Sequence, residues 1–123
     1  MKIGYIKAGG HVVLWNIAAI EHDIAKGKLR PEIRRMPVCE LLEQCGEMPE
    51  DPGAYDLHKF PIVLYFTSEK YLLLTGEEQV YKANLLKFPK MDCCCLHPSQ
   101  HRSYMVDTDK ATYLAAVKAY WKE

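Results

Sequence analysis

Few folds can accommodate the stretch from Phe60 to Leu96. Phe60-Pro61-Ile62-Val63-Leu64-Tyr65-Phe66 is an apolar run of strand length, and Thr67-Ser68-Glu69-Lys70 is a short polar turn. Tyr71-Leu72-Leu73-Leu74-Thr75 is a second run, stopped by Gly76. From Glu77 the apolar period changes from two to that of a helix, with Val80, Ala83 and Leu86, joined by Leu85, on one face. Lys87-Phe88-Pro89-Lys90 should end that helix, because a proline drives the residue before it out of the α conformation. Met91-Asp92-Cys93-Cys94-Cys95-Leu96 then reads as a third strand. The expected unit is strand, turn, strand, glycine, helix, strand, which places the chain in the α/β (α+β) class with a small mixed sheet.

The flanks add elements to this unit. Lys2–Lys7 and His11–Trp15 are β-prone runs joined by Ala8-Gly9-Gly10, a hairpin signature. Asn16 is placed to cap a helix through about Lys26, with Ile17, Ile20 and Ile24 on one side and Gly27 as its stop. Met36-Pro37-Val38 reads as a short strand, and Cys39–Cys45 as a brief helix ending at Gly46. Glu47–Lys59, rich in proline, glycine and aspartate, reads as a loop. Its carboxylates Glu47, Glu50, Asp51 and Asp56 lack the spacing of a calcium loop. Asp107 or Asp109 caps a last helix to Trp121, striped by Tyr113, Ala116, Val117 and Tyr120; this helix either packs inward or forms a dimer face.

At 123 residues the chain suits one domain, able to bury roughly two thirds of its unfolded surface. The expected division is a core unit over 36–96, an N-terminal extension over 1–35 and a C-terminal helix over 107–122. Sixteen basic and 16 acidic residues cancel, so global charge favours neither nucleic acid nor an anionic membrane. Without a long apolar window or a signal-peptide layout, the expectation is a soluble, cytoplasmic protein. Five cysteines, three of them adjacent in a strand, suit reduced thiols better than a disulfide framework.

The order of elements and several central residues resemble the ParB/sulfiredoxin superfamily. Pro61-Ile62-Val63 corresponds to the proline-led strand of ParB N-terminal domains, and Tyr71–Glu77 to the strand that ends there in Gly-Glu-Arg-Arg. Ala83 falls on the following helix, and Met36-Pro37-Val38 resembles the opening strand. The resemblance covers about Met36 to Leu96, half the chain. It implies a phosphate site at the turn, where helix N–H groups and the dipole favour an anion. Here the two family arginines are replaced by Glu78 and Gln79, and a sulfiredoxin cysteine nucleophile is missing as well. The ligand-binding turn Gly76, Glu77, Glu78 and Gln79 is therefore expected to be degenerate.

Other clusters remain as candidates. Lys28, Arg30, Arg34 and Arg35 form the densest positive cluster, around Pro31, read as a solvated linker or a DNA contact. Gln100-His101-Arg102-Ser103-Tyr104 is a second polar cluster, an exposed loop or a replacement anion site through His101 and Arg102. Cys93, Cys95, His97 and His101 offer zinc-type donors at a spacing unusual for a structural site. Buried thiols plus surface histidines is the simpler account. Aromatics lie beside lysines only at Tyr81-Lys82 and Lys87-Phe88, where base stacking would need exposure. The expected function is a non-catalytic accessory module that needs no cofactor. It would bind DNA or a protein partner, in the DNA-maintenance or mobile-element setting that the resemblance implies. The alternative is an enzyme rebuilt around Cys93–Cys95, His101 and Arg102.

Overall fold

The computed structural model describes residues 3–8, 10–45, 60–67, 69–106 and 108–121. The chain is of mixed α+β type, with a three-stranded sheet and a four-stranded sheet. It divides into two compact units: 1–30, 65–70 and 97–123 form the first, and 31–64 and 71–96 the second. The loop expected over Glu47–Lys59, the stop at Gly46 and the cap at Asp107 lie outside the described residues.

In the first unit, β1 (Ile3–Ala8) and β2 (His11–Asn16) pair antiparallel, and β2 pairs with the short β7 (Met105–Val106). Asn16 ends β2 and caps α1 (Ile17–Ala25), its side chain accepting from the Ala19 N–H at 3.0 Å. One residue thus converts strand into helix by satisfying a donor the first turn leaves orphaned. Gly27, at φ 75°, closes the helix in the left-handed region. Asp109 repeats the capping device for α5 (Lys110–Tyr120), accepting from the Thr112 N–H at 2.7 Å. The core gathers Ile6, Val13, Trp15, Ile17, Ile20, Tyr113 and Ala116, while Val117 and Tyr120 of the expected stripe stay half-buried.

In the second unit the strand order is β3 (Glu32–Pro37), β6 (Lys90–Leu96), β4 (Ile62–Tyr65, whose last residue belongs to the first unit) and β5 (Tyr71–Thr75). β3 runs antiparallel to β6, and β4 runs parallel to it with Ile62 level with Cys94. β4 is buried along its length, as its unbroken apolar run requires, whereas β6 alternates from Lys90 to Cys95. The short α2 (Val38–Leu42) follows β3 directly, so Met36 and Pro37 end β3 while Val38 opens a helix. Gln44 fixes the turn after α2, its amide bridging the Leu73 N–H (2.6 Å) and the Tyr71 carbonyl (3.1 Å).

α3 (Glu77–Leu85) buries Val80 and Ala83, but Leu85 and Leu86 of its expected apolar face are about half exposed. The helix ends earlier than its apolar residues do. Lys87 adopts φ 62°, the Lys87 N–H donates to the Asn84 carbonyl (3.0 Å), and the Phe88 N–H donates to the Ala83 carbonyl (2.9 Å). That paired bonding is a Schellman closure, and it, not Pro89, is what stops the helix.

Candidate functional site

Gly76 caps α3 in the left-handed region, at φ 103°. A Cβ added there would stand 2.6 Å from the Pro61 Cα, so both backbone angle and space exclude a side chain. Glu77 and Glu78 fill the first turn of α3, where carboxylates interact favourably with the helix dipole. The Gln79 Oε1 is buried without a hydrogen-bond partner among the described residues. The four residues of the expected turn are thus adjacent at one helix start, and the charge they present to an anion is negative.

The basic segment does not form one patch. Lys28 and Arg30 belong to the first unit, where the Arg30 carbonyl accepts from the Gln100 amide at 2.8 Å. Glu32 to Arg35 is strand, which corrects the expectation of a linker. Successive strand residues face opposite sides. Arg34 shares a side with Cys93, lies 3.8 Å from the Glu32 carboxylate, and is separated from Arg35, which is level with Asp92.

Gln100 to Tyr104 is not an exposed loop either. It forms α4 (Pro98–His101) and a 3-10 helix (Arg102–Tyr104). His101 is fully buried (0% exposed), its Nε2 2.9 Å from the Tyr65 carbonyl and its ring packed against Trp15, Phe66 and Tyr113. A carbonyl can only accept, so Nε2 carries the proton and Nδ1 stands enclosed without a partner among the described residues. Burial pushes the imidazole pKa down to about 4. Arg102 is half-buried and lies 5.8 Å from the Tyr113 ring centre, a cation–π contact. The sequence placed these two side chains on the surface; their packing turns His101 inward.

The thiols are free, and Cys93 and Cys95 are buried on one face of β6. The Cys95 thiol lies 3.8 Å from the Met36 sulfur. Burial pushes Cys93 up to about 12 and Cys95 up to about 11, the reverse of what an attacking thiolate needs. Among the described residues no three His, Cys, Asp or Glu side chains converge as a metal site.

The second unit does bring together residues that sequence spacing left apart. Phe60 and Phe88, 40% and 47% exposed, Arg35, Lys90 and Asp92 line one groove, with adjoining volumes of about 420 and 180 Å³. The topology explains why they meet. β4 and β6 are parallel, so the residues preceding each lie at the same end of the sheet, and antiparallel β3 brings Arg35 toward that end. Arg35 and Lys90 make no ion pair among the described residues. Lys87-Phe88 carried part of this signal in the sequence; Phe60 and Asp92 carried none. A groove offering exposed rings beside two cations can stack a planar group and hold an anion at once. Among the described residues, no helix is long and apolar enough to cross a membrane. Comparison of the chain with protein-family models, curated proteins and solved structures found no match.

Proposed function

We propose that this chain is a non-catalytic accessory module that binds nucleic acid through the groove lined by Arg35, Phe60, Phe88 and Lys90. The scaffold under that groove would be a ParB-like unit whose phosphate turn has become acidic. One observation carries the proposal: two half-exposed phenylalanines and two cations that make no ion pair among the described residues share a concave surface. Large apolar side chains exposed together mark a contact surface, and the cations select a polyanion over an apolar protein face. The turn at Gly76 supports the degenerate-site part, since a phosphate there would meet Glu77 and Glu78 in place of a guanidinium fork. Its glycine already has a structural reason in Pro61. The raised thiols at Cys93 and Cys95 weigh against the thiol-enzyme alternative.

Thermal unfolding at low salt with CTP, ATP, single-stranded DNA or duplex DNA tests this. A ligand at about 100 times its dissociation constant stabilises by about 2.7 kcal/mol. The expected result is a shift with DNA and none with either nucleotide. A shift with CTP or ATP overturns the degenerate-site reading, and silence from every ligand overturns the nucleic-acid reading in favour of a protein partner.

A further inference from the structure

The two phenylalanines of the groove occur in the same tripeptide, Lys-Phe-Pro, at 59–61 and again at 87–89. Each tripeptide immediately precedes one of the parallel neighbours β4 and β6. Lys59 lies outside the described residues, while Lys87 is exposed. Phe88 is set in place by the left-handed Lys87 and by its own N–H bond to Ala83 at 2.9 Å. The helix closure at Lys87 thus holds the chain that carries Phe88 in a fixed path into β6.

We propose that this groove takes single-stranded nucleic acid, the bases stacking on Phe60 and Phe88 and the backbone running past Arg35 and Lys90. The inference rests on the nucleic-acid reading above and narrows it to one class of substrate. In a duplex the base faces are already stacked on one another and only their edges are open, so a ring lining a shallow groove finds nothing to stack on. An unpaired strand offers a π-face at every base, whatever the sequence. Charge points the same way. Among the described residues Arg35 and Lys90 are the cations lining the groove, few phosphate contacts with which to hold a duplex, whereas stacking adds affinity that charge does not supply. Asp92, level with Arg35 across the β3–β6 ladder, is the one acidic group lining the groove among the described residues. Its negative charge lowers the net positive charge of the groove lining, so charge alone is a weak selector there.

Fluorescence anisotropy at low salt with a labelled oligothymidine, the same strand made abasic, and a duplex of equal length tests the inference. Wild type is compared with Phe60→Leu, Phe88→Leu and Arg35→Glu, whose folding is checked by thermal unfolding. Because Phe60, Phe88 and Arg35 are exposed, these variants are expected to fold. The expected result is oligothymidine binding about tenfold or more above both the abasic strand and the duplex, with each leucine variant losing about fivefold or more. Equal binding of all three ligands, weakened by Arg35→Glu alone, overturns stacking and leaves the groove as a general polyanion site. Folded leucine variants with unchanged affinity overturn it too, and no binding of any ligand overturns both readings.

Discussion

The backbone of Pro61 occupies the space into which a side chain on Gly76 would project, at 2.6 Å from the Cβ position. Pro61 opens the run into β4 and Gly76 starts α3, so this contact fixes where the helix leaves the sheet. Gly76→Ala adds left-handed strain of about 1–2 kcal/mol to a clash with backbone that has no rotamer to escape into. A loss of about 2–4 kcal/mol is expected from urea unfolding, with the m-value unchanged. An Ala variant as stable as wild type would show that the turn does not close on Pro61.

Lys87 offers the opposite effect. At φ 62° it occupies the position that helix closures usually give to glycine. Lys87→Gly should raise stability by about 1 kcal/mol, read as a higher urea midpoint, because the strain disappears and the two closing hydrogen bonds remain. If Lys87 contributes to the groove, the more stable variant binds oligonucleotide more weakly.

His101 sets an acid limit on stability. Its folded pKa of about 4 lies below the ordinary histidine value of 6.5, because burial opposes the charge. As pH falls below 6.5 the unfolded chain takes up a proton that the folded chain refuses, so stability is full above pH 6.5 and is lost progressively toward pH 4. The loss from this one group reaches up to about 3 kcal/mol. Urea midpoints at a series of pH values should fall through that window, and His101→Phe should flatten the fall. An unchanged slope in the variant would place the acid sensitivity elsewhere.

The cysteines should differ in reactivity. Cys39 is exposed on α2, whereas Cys93 and Cys95 are buried and their thiols are raised to about 12 and about 11. Cys45 is raised to about 11 by burial, with Glu77 and Glu78 adding to it. Iodoacetamide at neutral pH should therefore label Cys39 first and leave Cys93 and Cys95 untouched until the protein unfolds, as peptide mass mapping would show. Rapid labelling of Cys93 in the folded protein would restore the thiol as a candidate nucleophile.

Local chemistry was legible in the sequence wherever one residue decides it. Asn16 and Asp109 are capping residues whose acceptors sit where the first turn needs them, and Gly76 bounds β5 as its run of apolar residues implies. Features set by distant partners were not legible. β3 is an edge strand exposed over Glu32 to Arg35, so it carries no apolar alternation to betray it. His101 looks like its polar neighbours until its ring meets the Tyr65 carbonyl, 36 positions away. Leu85 and Leu86 continue the helical period, yet the closure at Lys87 leaves both exposed. The groove was the least legible of all. It exists because β4 and β6 are parallel, and a pairing direction is written in no single residue.

Nucleic acid is expected to touch the chain at the groove that precedes β4 and β6. Titrating oligothymidine into ¹⁵N-labelled protein and following the amide resonances measures this directly. The expected shifts cluster at Arg35, Phe60, Phe88, Lys90 and Asp92, and leave those of Gly76 to Gln79 and of Arg30, His101 and Arg102 in place. Shifts centred on Gly76 to Gln79 or on Arg102, or no shifts at all, would contradict it.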